Sequence, residues 1–173
     1  MTIRRAESTD REALVNLGLS IQALHAENLP EIFVAPDRDA LAEFFDGVLA
    51  GDSHVLVAEH GTTVLGYVFA DLVARGATAF KHASTVLYIQ HIAVSPAVQR
   101  QGVGARLMNA AASLGRELGA SAVRLDSWSF NTDAHEFFAA HGYSPINIVF
   151  EHALDHRSQP EPIPSTAPGA VSG

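Results

Sequence analysis

Cysteine is absent. That excludes disulfides, zinc–thiolate sites and a cysteine nucleophile. No apolar run approaches the ~20 residues that a membrane span requires. The N-terminal MTIRRAESTDRE carries no apolar stretch behind its arginines, so no signal peptide is expected. A reduced, cytoplasmic setting away from membranes is the expectation. Charge is also scarce: 17% of residues are charged, against roughly 25% in an average globular protein. The net charge is −8, and a basic stripe suited to nucleic acid is missing, so no nucleic-acid partner is expected. Nine histidines are scattered along the chain. His152 and His156 stand at a metal-like i, i+4 spacing, but no third ligand accompanies them, and no metal is expected.

What is present is apolar material, 47% of 173 residues, enough for one core of ordinary size. The expected domain covers residues 1–155. Residues 156–173, HRSQPEPIPSTAPGAVSG, hold four of the eight prolines and no aromatic. Such a Pro/Ser-rich stretch cannot bury enough surface to offset its ordering entropy, and it reads as a disordered tail.

The domain alternates between helical and extended periodicities. Thr2–Ala6 reads as a short strand. Thr9 and Glu12 have capping-box spacing, and Leu14, Leu17, Ile21 and Leu24 then share a helical face. A second helix begins near Asp37, with Leu41, Phe44, Phe45 and Val48 on one side, and Gly51 stops it. His54–Glu59 and Thr63–Leu72 alternate around a His60-Gly61 turn and read as a hairpin. Val86–Val94 reads as a buried strand. Ala105–Leu118 has helical spacing, with Gly119 at the C′ position. Ala122–Asp126 is a strand, Asn131 caps a short helix ending at Gly142, and Ile146–Leu154 reads as a last strand. The crossover from 94 to 122 implies one parallel pair. The fold class is therefore α+β: a mixed, mostly antiparallel sheet with helices on both faces.

The chemistry concentrates in Val94-Ser95-Pro96-Ala97-Val98-Gln99-Arg100-Gln101-Gly102-Val103-Gly104-Ala105-Arg106-Leu107. A strand ends, a polar glycine-bearing loop follows, and a helix begins. The first amides of that helix lack intrahelical partners and carry the positive end of the helix dipole. Gly102 and Gly104 let the backbone approach a ligand, so the segment suits a phosphate or pyrophosphate. A Walker loop needs Gly-Lys-Ser/Thr, which is missing. A dinucleotide fingerprint matches Gly102 and Gly104, with Asp126 near the acidic position, but its third glycine is Leu107, and seven residues separate Val94 from Gly102.

The run Ile92-Ala93-Val94-Ser95-Pro96 with Gln99-x-x-Gly102-x-Gly104 resembles the signature of the GNAT superfamily of N-acetyltransferases. Trp128-Ser129-Phe130-Asn131-x-x-Ala134-x-x-Phe137-Phe138-x-x-x-Gly142-Tyr143 resembles the second segment of that family. The resemblance covers residues 1 to 154 in element order and is sharp from 86 to 143. It implies acetyl-CoA as co-substrate. The backbone from Gln99 through Arg100, Gln101, Gly102, Val103 and Gly104 to Ala105 would hold the pyrophosphate. The strand end Ile92, Ala93 and Val94 would pair with the pantetheine arm and the thioester carbonyl, and Asn131 would contact the coenzyme. Asn131 also reads as a plain N-cap worth ~1 kcal/mol, and both roles are compatible. Relatives often dimerise, so a homodimer is among the expected assemblies.

Acetyl transfer to an amine needs a neutral amine, a stabilised oxyanion and a departing thiolate. An amine of pKa ~10.4 costs roughly 4.6 kcal/mol to neutralise at pH 7. One oxyanion donor is worth ~3–4 kcal/mol. A thiol of pKa ~8.5 needs the least help. The family's usual acid–base groups are missing: Phe138 stands where many relatives carry tyrosine, and Gln90 where many carry glutamate. His91 is adjacent, but strict alternation points it to the face opposite Gln90. His25, Glu27 and Glu31 follow the first helix, where relatives line the acceptor pocket. Trp128 reads as a pocket wall or a core residue, and Tyr143 as core. The functions that follow are an N-acetyltransferase acting on a primary amine of a small molecule or peptide, a non-catalytic acyl-CoA-binding or sensing module, and a protein N-terminal acetyltransferase.

Overall fold

In a computed structural model that describes residues 1–154, five strands form one sheet in the order β1-β2-β3-β4-β5. The strands are β1 (Thr2–Arg5), β2 (His54–His60), β3 (Thr63–Arg75), β4 (Ser84–Val94) and β5 (Ala122–Arg124). The first four pair antiparallel, and β4–β5 is the one parallel pair. The helices are α1 (Arg11–Asn28), α2 (Arg38–Ala50), α3 (Val103–Glu117) and α4 (Thr132–Ala140). The expected tail and His156 lie outside the described residues. No helix among those residues is long and apolar enough to cross a membrane.

Strand alternation sorts the side chains into two cores, one on each face of the sheet. Val55, Val57, Tyr67, Phe69 and Ala93 meet Leu14, Leu17, Ala42 and Phe45 from α1 and α2. On the other face Leu56, Ala58, Val68, Ala70, Leu87 and Ile89 meet Val103, Leu107, Met108 and Ala111 from α3, with Phe137 and Phe138 of α4 packed against them. The layers follow from the sequence because period-2 strands expose both faces to helices with period-3.6 stripes.

Two local expectations are corrected. The start of α1 is not capped by Thr9 and Glu12. A 3₁₀ turn, Ser8–Asp10, precedes the helix, and the capping box joins Glu7 to Asp10. Asp10 Oδ2 accepts from the Glu7 amide at 2.8 Å, and both carboxylate oxygens accept from Arg4, at 2.7 and 2.9 Å. The competing pull is this ion pair: Asp10 is buried, while Glu12 is exposed and paired with Arg11 and Arg38.

The second correction is the last strand. Residues 146–154 form no strand. Ile146, Ile148, Val149 and Phe150 are 73%, 68%, 86% and 89% exposed. A β pattern yields a strand only when a neighbouring edge supplies the ladder and a face is covered. Among the described residues this segment pairs with no strand, and its apolar side chains stay exposed.

Candidate active site

The site begins with a divergence in the sheet. β5 pairs with β4 only over Ala122–Arg124 against Val86–Tyr88. β4 continues to Val94, so its second half has a free edge on that side. The divergence point is braced by Tyr88, whose hydroxyl donates to Asp126 Oδ2 at 2.8 Å. Burial and the nearby carboxylate push the Tyr88 phenol up to about 12. On its other edge the end of β4 is held by β3. Gly66 pairs with Val94, and the Ser95 amide donates to the Leu65 carbonyl at 2.8 Å. A Cβ at Gly66 would lie 2.5 Å from the Ala93 carbonyl oxygen, so the close approach of the two strands requires glycine there.

Beyond β4 the chain makes a 3₁₀ turn at Pro96–Val98 and enters α3. Arg100 (φ 59°) and Gly102 (φ 80°) both adopt left-handed backbone. Among the described residues, no amide from Gln99 to Ala105 donates to a backbone acceptor, and no side chain caps α3. The contrast is internal. Asp37 Oδ1 caps α2 through the Ala40 amide, and Asn131 Oδ1 caps α4 through the Ala134 amide at 3.3 Å. The first turn of α3 also carries no acid. A row of unpaired amides at a helix start is an anion cradle. The Gln99 and Gln101 side chains fold back onto the carbonyls of Val94 and Ala97, each at 3.4 Å, and shape the loop from within. A Cβ at Gly104 would meet the Phe137 ring at 3.1 Å, so this glycine also lets α4 pack on α3.

The face toward α1 and α2 holds the acceptor-side candidates. Ile89 and Ile92 both pack on the α3 side, although strict alternation would separate them. The register explains this: Phe69 faces His91 while Ala70 faces Ile89, so Gln90 is an extra residue in a β-bulge. The expectation that Gln90 and His91 point to opposite faces is therefore corrected. His91 stacks on Phe44 at 5.9 Å and meets the edge of Phe69 at 6.0 Å, both rings of the α1/α2 side. Its Nδ1 lies 3.5 Å from the Tyr67 hydroxyl. Burial, with the nearby His25 second, holds the His91 imidazole below its usual range. Gln90 is exposed, and its Nε2 donates to Asp71 Oδ2 at 3.0 Å. Asp71 in turn accepts from Ser53 at 2.7 Å.

A ring cluster joins the end of α1 to the loop after β5. His25, near the end of α1, stacks on Phe33 at 4.7 Å and meets Phe130 edge-on at 5.9 Å. Phe33 meets Trp128 edge-on at 5.0 Å. The α1–α2 loop thus touches the β5–α4 loop. Burial lowers the His25 pKa. Trp128 is 41% exposed and belongs to neither core cluster, so the core reading does not hold. Phe33 has no motif to announce it, Phe44 reads in sequence only as part of the apolar face of α2, and Phe130 lies within the second motif segment without a role of its own. Glu27 and Glu31 are exposed and stay outside the cluster. Phe138 packs in the α3-side core, 6.1 Å from the Tyr143 ring, and Tyr143 is half-buried with its phenol pushed up.

The profile of the acetyltransferase (GNAT) family matches residues 19–143. The chain belongs to that family. A point mutant of the BH1408 protein from Bacillus halodurans superposes with TM-score 0.85 at 24% identity, covering 89% of this chain and 99% of that one. The aminoglycoside N-acetyltransferase AAC(6')-Iy, solved in complex with CoA, gives TM-score 0.71 at 19% identity, over 89% and 94%. AAC(6')-IG from Acinetobacter haemolyticus, an aminoglycoside 6'-N-acetyltransferase, gives 0.69 at 16%, over 89% and 98%. No curated protein sequence matches significantly.

Proposed function

We propose that this protein transfers the acetyl group of acetyl-CoA to a primary amine by direct attack on the thioester. The observation that carries the reading is the uninterrupted set of unpaired amides from Gln99 to Ala105, placed where a splayed strand ends. In this reading those amides hold the pyrophosphate. Ile92, Ala93 and Val94 lie along the pantetheine arm, and a strand-end amide donates to the thioester oxygen as it gains charge. Asn131 flanks the coenzyme from the start of α4 while its Oδ1 caps the helix. The neighbouring structure solved with CoA supports the assignment of the coenzyme.

His91 takes the proton. This role requires the tautomer in which Nδ1–H faces the Tyr67 oxygen and Nε2 carries the free lone pair. Its lowered pKa keeps it neutral at pH 7, which is the form a base requires. The amine nitrogen then bonds to the acyl carbon, the C–S bond breaks, and CoA leaves as thiolate. That thiolate needs only modest assistance, consistent with a phenylalanine at 138. Glu27 and Gln90 have no place in this step: one is exposed outside the ring cluster, and the other is bonded to Asp71.

The test joins calorimetry with CoA to a thiol-release assay across aliphatic, aromatic and peptide amines. Binding with turnover is the expected result. No heat on CoA addition overturns the reading. Binding with no turnover on any amine would favour instead a non-catalytic acyl-CoA sensor, the reading that Phe138 and the bonded Gln90 amide support.

A further inference from the structure

We propose that the acceptor is an arylalkyl monoamine, its ring held among Phe33, Phe44 and Trp128 while its nitrogen reaches His91. The inference rests on the acetyl-transfer reading above and narrows its substrate. Three observations lead to it. Folding leaves aromatic surface uncovered on this side: Phe44 is 39% and Trp128 41% exposed. Leu24 and Ile32, the residues before His25 and Phe33, are exposed as well. Rings that are ordered by other rings yet keep open faces suit a flat apolar ligand. The two ring groups also lie close together. His91 stacks on Phe44, His25 stacks on Phe33, and the charge of His25 bears on His91. Finally, acid is missing from this surface. Among the described residues, no carboxylate bonds to either imidazole, and none acts on the pKa of either. Asp71 is taken up by Ser53 and Gln90, and Asp126 by Tyr88.

These features select the body of the amine. A polyamine carries several ammonium groups at neutral pH, and each one taken from water needs an acid or a hydrogen-bond acceptor. An aminosugar needs partners for its hydroxyls in the same way. A surface of rings supplies few of either. An arylalkyl monoamine has one charge, which a ring face can hold as the ammonium arrives. Both imidazoles are held toward their neutral form, so that ammonium meets no fixed like charge. The charge disappears in the reaction: the amine nitrogen bonds to the acyl carbon, its proton passes to His91 and the C–S bond breaks. The aryl group meanwhile displaces water from Phe33, Phe44 and Trp128, and that burial favours it over an aliphatic or hydroxylated body.

The chain has a single tryptophan, Trp128, so its emission reports on this surface directly. The full chain loaded with CoA is titrated with phenethylamine, spermidine and glucosamine. A saturable change in emission is expected with phenethylamine, at concentrations where the other two leave it flat. In thiol release from acetyl-CoA, kcat/KM should favour phenethylamine by about tenfold or more. Trp128→Ala should raise KM for phenethylamine about tenfold, a larger effect than on kcat, and Trp128→Phe should recover most of the loss. Trp128 lies outside both cores, so neither variant should cost the fold. Faster turnover of spermidine or glucosamine would overturn the proposal and leave acetyl transfer standing. So would a KM for phenethylamine that Trp128→Ala does not move. Emission unchanged by phenethylamine would also overturn it. Saturable binding of phenethylamine with no thiol released from any amine would uphold the ring surface as its site and overturn acetyl transfer instead.

Discussion

Ile89 and Ile92 reach into the same core, three positions apart on one strand. The bulge at Gln90 makes this geometry, and it turns two consecutive residues, Gln90 and His91, toward the α1/α2 side. A sheet that kept strict alternation would have sent His91 into the α3 core. The bulge therefore puts the imidazole of His91 on the α1/α2 side.

Replacing that side chain tests its role. His91→Gln keeps the polar volume but removes the base. The expected loss in kcat/KM is about 100- to 10,000-fold, with CoA affinity unchanged by calorimetry. The wild-type rate should fall at acid pH as His91 protonates, with the limb displaced below the usual histidine range because burial lowers its pKa. The variant should lose that limb. Equal rates and equal profiles would remove His91 from the chemistry.

Gly102 separates conformation from space. No atom lies within 4 Å of a Cβ there, but φ is +80°. Valine in left-handed backbone costs about 1–2 kcal/mol, so Gly102→Val should reshape the loop and raise the CoA dissociation constant roughly tenfold. Thermal stability should change little. A titration that matches wild type would mean the diphosphate lies elsewhere.

Gly66 gives the opposite case. A methyl group there meets backbone, 2.5 Å from the Ala93 oxygen and 3.2 Å from Val94 Cα. Overpacking against atoms that cannot rotate away costs about 1–3 kcal/mol. Gly66→Ala should lower the urea midpoint and also weaken CoA binding, because the β3–β4 contact sets the position of Ala93 and Val94. A midpoint unchanged from wild type would refute the close approach.

Asp10 should mark the acid limit of stability. Its pKa is held below the ordinary 3.8, chiefly by the Arg4 hydrogen bonds. The sign follows: the stabilisation is complete above 3.8 and is lost as pH falls through the lower native value. Asp10→Ala should cost about 2 kcal/mol at neutral pH. The gap to wild type should close in acid, as followed by chemical denaturation from pH 6 to pH 2. A gap that stays constant would show that the ion pair is not its source.

The helices were legible because each carries its own stripe and punctuation. Asp37 and Asn131 cap where their sequences place them, and Gly119 ends α3 with φ +73°. The phosphate-loop candidate could be read for the same reason: the role proposed for it rests on local backbone. Features that depend on a neighbour were not. The capping residue of α1 moved because Arg4, from β1, claims Asp10. The face of His91 depends on a register with Phe69 that no single strand encodes. The ring cluster of His25, Phe33, Trp128 and Phe130 joins segments about 100 residues apart along the chain. Residues 146–154 have strand propensity, yet propensity supplies no edge to pair with, and they form no strand.

The short β4–β5 pairing has a thermodynamic corollary. Folding leaves the β5-facing edge of the second half of β4, and the amides from Gln99 to Ala105, without backbone acceptors, so that region contributes less to the native state than its burial suggests. Deuterium should enter there early in the free protein. A coenzyme that supplies the missing acceptors would slow that uptake locally, in β4 and the start of α3, while β2 exchanges as before.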